Sequence, residues 1–311
     1  MHKRLSIVIP VYNSEASLEG LYSRLVGVLG QLEMQFEVIL VDDGSADRSW
    51  EVIRLLARAN PQVRGFRMLR NYGQHNALLC GIRHANFPII VTMDDDLQNP
   101  PEEIPKMLAQ LELGFDVVYG TPERERHGFL RDATSRITKI VLQRSMGAEA
   151  AEKISAFRAF RTKLREAFTD YRGSFVSIDV LLTWGTKRFG SVQVRHEERQ
   201  IGQSNYTVIK LFAHAMNMVT GFSILPLQIA TAIGLLFTLF GGAVLIFVVG
   251  RYALYGSTVQ GFAFLASLLA IFSGAQLFTM GIFGEYLARI HLRTMDRPAY
   301  AVGLRTEVDG A

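Results

Sequence analysis

Apolar and polar positions follow two different patterns along this chain. Over roughly the first 210 residues, short apolar runs alternate with stretches in which apolar residues recur every three or four positions. The short runs predict strands, and the periodic stretches predict helices with one buried face. The predicted strands cover residues 5–11, 36–41, 65–69, 89–93 and 116–119, and the predicted helices cover 14–32, 47–58 and 76–85. This alternation is typical of an α/β sheet protein.

The C-terminal third is continuously apolar in two places. Residues 211–250 contain no Asp, Glu, Lys or Arg, and a second uncharged run covers residues 261–284. Each run exceeds the roughly 20 residues that cross about 30 Å of hydrocarbon as a helix. Two buried core helices are the alternative, but uncharged runs of this length are uncommon in water-soluble folds. We therefore predict two membrane-spanning helices, at 222–250 and 261–284.

Basic residues around these two runs predict the orientation of the chain. The loop between the runs carries only Arg251, whereas Arg289, Arg293, Arg297 and Arg305 follow the second run. Cytosolic segments are enriched in Lys and Arg, so the tail is expected in the cytosol. The first apolar run of the chain is too short for a signal-peptide core, which leaves the N-terminal part in the cytosol as well. The expected organisation is a cytosolic domain at 1–205, an amphipathic juxtamembrane segment at 206–221, the two-helix hairpin, and a cytosolic basic tail at 285–311.

Composition agrees with this division. The 311 residues carry a net charge of +4 and only 20% charged residues, below the quarter or so of a typical soluble domain, and the mean hydropathy is +0.17. The single Cys80 excludes an internal disulfide and a Cys/His metal cluster. A charge of +4 without a concentrated basic face argues against nucleic-acid binding.

Polar clusters follow four of the predicted strands. They are Tyr12 with Asn13, residues 42–45 (DDGS), residues 71–73 (NYG) and residues 94–96 (DDD). Ligands of open α/β sheets bind at the carboxyl ends of the strands. We therefore expect these clusters to converge on one site.

The acidic run after the fourth strand predicts a cation site. Asp94, Asp96 and Gln98 alternate along it, and oxygen ligands of this kind suit a hard divalent cation such as Mg²⁺ or Mn²⁺. A solvated turn is the alternative, since Asn99-Pro100-Pro101 follows. Adjacent carboxylates at the end of a buried strand repel one another unless a cation offsets their charge, which favours the metal site.

Four motifs together resemble glycosyltransferase family 2. They are residues 9–13 (IPVYN), 41–45 (VDDGS), 70–75 (RNYGQH) and 93–102 (MDDDLQNPPE). Within that family the chain is similar to the polyprenyl-phosphate glycosyltransferases, and its NYGQH and LQNPPEEIP runs are closest to those of the undecaprenyl-phosphate aminoarabinose transferases. The resemblance extends over nearly the whole chain, including the two apolar runs.

The resemblance implies a GT-A fold, which is a Rossmann-like α/β nucleotide-sugar-binding domain, here followed by a two-helix transmembrane hairpin. It implies inversion at the anomeric carbon of the sugar. Seven residues match positions that hold the nucleotide sugar: Pro10, Tyr12, Glu15, Asp42, Asp43, Asp94 and Asp95. The family's metal motif matches Asp94 and Asp96, with Gln98 as a further ligand of Mg²⁺ or Mn²⁺. Strand-end packing and a turn are the alternative roles of Pro10 and Tyr12.

The acceptor side is expected to be rich in arginine, whose planar fork suits phosphate oxygens. The candidate acceptor-phosphate ligands are Arg124, Arg126, Arg131, Ser135, Arg199 and Ser204. Arg131 with Ser135 resembles a family pair that contacts the acceptor phosphate, so Arg131 joins Asp94 and Asp96 as a candidate catalytic residue. A solvated loop is the alternative for the first three arginines, because glutamates alternate with them.

These resemblances predict an enzyme of the inner membrane that faces the cytosol. It would transfer a sugar from a nucleotide sugar to undecaprenyl phosphate, giving a lipid-linked sugar for a cell-envelope glycan or for lipid A modification. A phosphomonoester has its second pKa near 6, so the acceptor would need no strong general base. Transfer to another lipid or glycan, and nucleotide-sugar binding without catalysis, are the alternatives. We also expect a homo-oligomer, with a tetramer as one candidate.

Three departures from the family pattern affect the choice of sugar rather than the family. Only Glu15 remains of the two acids that usually follow the first strand. Glu152 and Ala156 replace the usual Asp and Gly of a later motif, and Asn205 stands where a lysine is common. We expect a reshaped sugar pocket and one positive charge fewer near the donor phosphates.

Overall fold

The computed structural model describes residues 4–122, 154–173, 176–197, 225–255 and 262–306. The chain divides into two units. The first comprises Met1–Ala215 together with Asp296–Ala311, and the second comprises Met216–Met295.

The first unit is built on one eight-stranded mixed sheet. In chain order the strands are β1 (Arg4–Val11), β2 (Gln35–Asp42), β3 (Val63–Met68), β4 (Ile89–Thr92), β5 (Val117–Pro122), β6 (Arg158–Arg161), β7 (Phe189–Val194) and β8 (Val302–Arg305). Their order across the sheet is β7-β5-β6-β4-β1-β2-β3-β8. Strands β3, β2, β1 and β4 run parallel, β5 and β7 are parallel to each other, and β6 and β8 run antiparallel to their neighbours.

Helices connect the strands and cover the sheet. They are α1 (Leu18–Gln31), α2 (Ser49–Ala59), α3 (Gln74–His84), α4 (Ile104–Glu112) and α5 (Ile178–Gly185), with short 3₁₀ helices at Pro101–Glu103 and Thr162–Phe168. The predicted strands and helices of the first 120 residues fall on β1 to β5 and α1 to α3, so the predicted α/β class is confirmed.

The core lies around β1 at the centre of the sheet. A parallel strand covered on both faces is apolar at every position, and Val8 and Ile9 are at most 1% exposed. Helix α1 presents Leu21 and Leu25 to this core. Helix α3 approaches the sheet closely because residue 81 is glycine: a Cβ there would lie 2.3 Å from Val8 Cγ1. This packing fixes the ends of β1 to β4 in space.

The tail after residue 295 adds an edge strand that the sequence did not predict. Strand β8 pairs antiparallel with β3, next to β2. The Thr306 hydroxyl extends the ladder by accepting a hydrogen bond from the Gly65 N–H at 2.6 Å. The last residues of the described chain therefore complete the sheet of the first unit.

The second unit contains two long helices, α6 (Leu225–Tyr255) and α7 (Phe262–Thr294). The predicted spans at 222–250 and 261–284 overlap these helices. Within the described residues one stretch, Pro226–Arg251, is long and apolar enough to cross a membrane. The Phe237 and Phe272 rings meet edge to face between the two helices, with centroids 5.4 Å apart. That the pair forms a membrane hairpin remains a prediction.

Candidate active site

The ends of β1, β2 and β3 are bonded to one another. The Asn13 N–H donates to Ser45 Oγ at 3.0 Å, and the Ala46 N–H donates to Asn13 Oδ1 at 2.8 Å. Gly44 has a φ of +71°, and a Cβ there would lie 2.7 Å from the Arg70 carbonyl carbon. Glycine therefore lets the turn after β2 touch the loop after β3, and the predicted clusters do converge.

Asp42 lies beneath the surface where the ends of β1, β2 and β3 meet. Its side chain is fully buried, its Oδ1 accepts the Ser45 N–H at 2.9 Å, and its Oδ2 lies 3.1 Å from Arg67 Nε. A carboxylate with no exposed surface can act on a bound nucleoside only through its neighbours. The contacts of Asp42 shape the turn that carries Asp43.

Asp43 fixes the loop after β3. Its Oδ1 and Oδ2 accept the N–H groups of Tyr72 and Gly73 at 2.7 and 2.8 Å. Burial raises the pKa of Asp43 to about 6, against the opposing effect of these two N–H donors, and the neighbouring Asp42 raises it further. The carboxylate thus changes charge just below neutral pH.

The remaining predicted donor-side residues lie on or after β1. Pro10 is buried in the strand, whereas the Tyr12 ring is 49% exposed and free to contact a ligand. The Glu15 carboxylate accepts the Arg48 N–H at 2.9 Å, at the start of α2. Tyr12 therefore offers a surface for stacking, while Glu15 ties the loop after β1 to α2.

The acid loop, residues 94–98, is attached to this donor side at two points. The Tyr12 N–H donates to Asp95 Oδ2 at 3.2 Å, and the Gln74 amide donates to Asp94 Oδ1 at 2.6 Å. Burial raises the pKa of Asp95 to about 6. The loops after β1, β3 and β4 therefore act as one bonded assembly.

Backbone strain marks the centre of the acid loop. Leu97 has a φ of +62°, in the left-handed region that non-glycine residues rarely adopt. The loop turns back at this residue, and the Gln98 N–H donates to Asp96 Oδ1 at 3.1 Å. Leu97 packs against the core, which compensates for the strain. Strain of this kind is concentrated at functional sites.

The donor set of the acid loop fits a hard cation that is shared with a substrate. Asp94, Asp96 and Gln98 are only partly buried, and they offer carboxylate and amide oxygens. In the described part of the chain no three His, Cys, Asp or Glu side chains gather into a metal site of their own. Mg²⁺ commonly binds through one or two carboxylates together with substrate phosphates. The residues therefore fit a cation that binds with a diphosphate.

The predicted acceptor ligands lie outside the described residues. This applies to Arg124, Arg126, Arg131, Ser135, Arg199 and Ser204, and also to Glu152 and Asn205. Their roles remain predictions.

Sequence reasoning missed several residues that hold the site together. Gln74 lies within the RNYGQH motif, but nothing in the motif indicated its bond to Asp94, 20 residues away. Asp47 accepts the Glu15 N–H at 3.1 Å, and Ser49 Oγ accepts the Ser14 N–H at 2.8 Å. The polar residues of the DDGSADRS run were the available signal, since such side chains commonly hydrogen-bond loop backbone.

Known proteins resemble this chain over nearly its full length. The family model for glycosyl transferase family 2 matches residues 6–169. Undecaprenyl-phosphate 4-deoxy-4-formamido-L-arabinose transferase of Shewanella sediminis is 36% identical over 302 residues, which cover 96% of this chain and 91% of the relative. The enzyme of the same name from Serratia proteamaculans is 33% identical over 303 residues, covering 96% and 93%.

Solved structures resemble the fold. Glucosyl-3-phosphoglycerate synthase from Mycobacterium tuberculosis, in complex with Mn²⁺, uridine diphosphate and phosphoglyceric acid, matches 70% of this chain and 76% of its own chain. The TM-score is 0.52 and the sequence identity is 18%. The mixed sheet with its covering helices, the family model and the relatives agree, and the chain therefore belongs to glycosyltransferase family 2 and is a glycosyltransferase with a GT-A fold.

Proposed function

We propose that this enzyme transfers a sugar from a nucleotide-sugar donor to the phosphate of undecaprenyl phosphate, with inversion at the anomeric carbon and with the help of Mg²⁺ or Mn²⁺. The observation that carries the proposal is the bonded assembly of the acid loop with the loops after β1 and β3. It brings the carboxylate and amide oxygens of the acid loop close to Tyr12 and to the loop that Asp43 holds, which supports a shared site for a cation and a nucleotide. The named relatives, similar over 96% of the chain, support undecaprenyl phosphate as the acceptor.

The donor half of the reaction uses residues of the first unit. Tyr12 and Asp43 lie where the nucleoside would bind, with Pro10, Glu15 and Asp42 shaping the loops around them. Asp94 and Asp96 would hold the cation with Gln98, and Asp95 ties this loop to Tyr12. A cation bound there would neutralise the diphosphate as negative charge develops on it.

The acceptor half needs positioning more than proton transfer. The phosphate of the lipid is largely ionised at neutral pH and is already a nucleophile. It would attack the anomeric carbon from the face opposite the departing diphosphate, which inverts the configuration. Arginines suit the phosphate oxygens, and the proposed ligands are Arg124, Arg126, Arg131, Ser135, Arg199 and Ser204. Holding donor and acceptor in line then supplies most of the rate.

A lipid-phosphate acceptor requires a site at the membrane surface. We therefore assign α6 and α7 to a two-helix hairpin of the inner membrane, preceded by an amphipathic segment at 206–221, with the glycosyltransferase domain facing the cytosol. The length of Pro226–Arg251 supports the first span. Exposed apolar side chains on both helices, among them Leu236, Ile246 and Leu269, support a lipid environment.

The proposal is tested by direct assay. Membranes that contain the protein are incubated with undecaprenyl phosphate and a panel of UDP-, GDP- and dTDP-sugars, including a 4-deoxy-4-formamido-L-arabinose donor. The lipid product is then identified by mass. We expect one lipid-linked sugar that disappears when EDTA removes divalent cations. Absence of lipid product with every donor, from protein that binds nucleotide, would exclude undecaprenyl phosphate as the acceptor.

The role of Arg131 is tested separately. Arg131→Ala should weaken use of the lipid phosphate by about 10²-fold or more, since a charge-assisted phosphate contact is lost, and should leave donor binding and donor hydrolysis nearly unchanged. Transfer rates at several undecaprenyl phosphate concentrations and hydrolysis rates without acceptor give the comparison. Equal losses in both reactions would contradict an acceptor-specific role.

A further inference from the structure

Arg24, in the middle of α1, makes two forked ion pairs with two separate segments. Its Nε and Nη2 donate to the Glu102 carboxylate oxygens at 3.0 and 2.8 Å, and its Nη1 and Nη2 donate to those of Glu197 at 3.2 and 3.0 Å. Glu102 follows the acid loop, whereas Glu197 follows β7. The planar guanidinium is matched to this geometry, which a lysine ammonium cannot reproduce.

The segment at 195–197 is fastened to the acid-loop region at two further points. The Glu197 N–H donates to the Gln98 carbonyl oxygen at 2.9 Å, and Arg195 Nε donates to Glu103 Oε1 at 2.7 Å. Glu103 is 1% exposed, and its second oxygen lies 2.5 Å from Lys106 Nζ. The backbone of Gln98, a proposed metal ligand, is therefore held directly by the strand-end segment that Arg24 anchors.

Helix α1, which carries Arg24, is packed against the core of the first unit. The residues on either side of it along the inward face of α1, Leu21 and Leu25, are at most 1% exposed. The Arg24 hydrogen bonds lower the pKa of Glu102, as expected for a carboxylate held ionised by a guanidinium. An isolated ion pair on the surface contributes little to stability. The four hydrogen bonds of Arg24 instead form one network that joins α1 to two segments beside the acid loop, so they also determine where those segments lie.

We propose that Arg24 is a positioning residue that clamps the acid loop to the 195–197 segment and thereby holds Gln98 and the neighbouring carboxylates in place for the cation. This inference rests on the proposed metal-assisted function of the acid loop. The strained φ of Leu97 gives the clamp a purpose: core packing of Leu97 offsets part of the strain, and we expect the loop to relax further when its flanks are released. The supporting partners of metal ligands typically change metal affinity by 10- to 100-fold when they are removed.

The test compares Arg24→Gln and Arg24→Lys with the wild type, using the full chain in detergent micelles. The first measurement is hydrogen exchange by mass spectrometry, without metal, in peptides that contain residues 94–103 and 195–197. The second is the affinity for Mn²⁺, measured by electron paramagnetic resonance with and without uridine diphosphate. For Arg24→Gln we expect faster exchange in both peptides and about tenfold weaker Mn²⁺ binding. Arg24→Lys keeps the charge without the fork, and we expect about threefold weaker binding.

Arg188→Gln is the matched control. Arg188 Nε and Nη2 donate to the two Asp116 carboxylate oxygens, both at 3.0 Å, just before β7 and β5 begin. This variant also removes a forked Arg–Asp pair, but one at the opposite end of the strands from the acid loop. It should leave exchange at 94–103 and Mn²⁺ affinity as in the wild type, whatever it does to the melting temperature.

The possible outcomes separate the two proposals. Unchanged exchange in the Arg24 variants, or faster exchange with Mn²⁺ affinity within twofold of the wild type, would overturn the positioning role. If Arg24→Gln does not fold, Arg24→Lys decides by the same two measurements. A wild type that binds Mn²⁺ but does not glycosylate undecaprenyl phosphate would refute the proposed function while leaving the clamp to be judged on exchange and Mn²⁺ binding. A wild type that binds no Mn²⁺, either with or without uridine diphosphate, would refute the clamp's proposed purpose.

Discussion

Two acidic clusters lie at the ends of β2 and β4, the strands on either side of β1. Aspartates have different roles in the two clusters. Asp42 ends β2 and Asp43 follows it, and the two are 0% and 3% exposed. Asp94 and Asp96 follow β4 and are only partly buried. The first pair is occupied by donors of its own chain, namely the backbone N–H groups of Ser45, Tyr72 and Gly73. The second cluster also accepts hydrogen bonds, from the Gln74 amide and the Gln98 N–H, but it keeps exposed surface and includes the strained residue Leu97.

The role of each carboxylate therefore depends on how deeply it is buried. A buried carboxylate must be paired with donors or with a cation, because desolvation makes an unpaired charge costly. Asp42 meets that requirement within the fold, so its contribution is to the shape of the site. Asp94 and Asp96 keep exposed surface beside their own hydrogen bonds, so a ligand can still reach them. The two clusters should therefore respond to mutation in different measurements.

The largest expected loss of turnover comes from removing a carboxylate of the partly exposed cluster, Asp94 and Asp96. Asp96→Asn and Asp94→Asn should each lower turnover by about 10³-fold at saturating Mg²⁺, because stabilisation of charge on the leaving group is lost. The melting temperature should change little, since asparagine fits the space and its amide oxygen at position 94 could still accept from Gln74. Initial rates of lipid glycosylation and thermal denaturation check this. Normal turnover in either variant would remove that carboxylate from the catalytic assignment.

In the buried cluster, Asp42 and Asp43, we expect a substitution to lower stability more than turnover. Asp42→Asn should lower the free energy of unfolding by about 2 kcal/mol, because a buried carboxylate that faces Arg67 and accepts the Ser45 N–H is replaced by a neutral amide. The protein that remains folded should retain most of its turnover. Denaturant titration and rates normalised to folded enzyme separate the two quantities. A loss of turnover as large as that of Asp96→Asn would make Asp42 a direct participant.

Local signals explain which parts of this picture the sequence could predict. Strands β1 to β4 and helices α1 to α3 each follow from apolar spacing within a short window, and in parallel strands the polar ends share one edge of the sheet. Strands β6, β7 and β8 were not predicted, because each is a short segment whose place depends on pairing with distant segments. The same reason hides Arg24: its partners lie 78 and 173 residues away. The polar clusters could be predicted, but the bonds that join them could not.

Asp43 should also make nucleotide affinity and stability depend on pH. Burial raises its pKa to about 6, so lowering the pH through 6 neutralises the carboxylate that holds the loop after β3. Protonation weakens its hydrogen bonds from the Tyr72 and Gly73 N–H groups, and we expect the loosened loop to lower nucleotide affinity by up to about tenfold from pH 7 to pH 5. Stability changes in the opposite direction: because the folded-state pKa is raised, the stabilisation is complete below about pH 4 and is lost as the pH rises through 6.

Nucleotide binding by calorimetry between pH 5 and 8, without acceptor, checks this response and avoids titration of the lipid phosphate. Asp43→Asn is the matched variant, and its weaker binding should depend much less on pH. Asp95 titrates in the same range, so only the part of the pH dependence that Asp43→Asn abolishes belongs to Asp43. An unchanged profile in this variant would contradict the assignment.

The smallest expected effect concerns the bond between the two sides of the site. Gln74→Ala removes the amide that donates to Asp94 Oδ1 at 2.6 Å but leaves the Tyr12 N–H on Asp95 and the Glu197 N–H on the Gln98 carbonyl. Because two other attachments persist, the metal concentration for half-maximal turnover should rise only about threefold, at the low end for an outer partner of a metal ligand. Gln74→Glu places a like charge beside Asp94, and a bound cation offsets the repulsion between the two carboxylates, so this variant should need less metal than Gln74→Ala. If both variants needed the same metal concentration as the wild type, the bond from Gln74 would not be what positions Asp94. The pair Asp42–Asp43 and the pair Asp94–Asp96 would then differ only in how deeply they are buried.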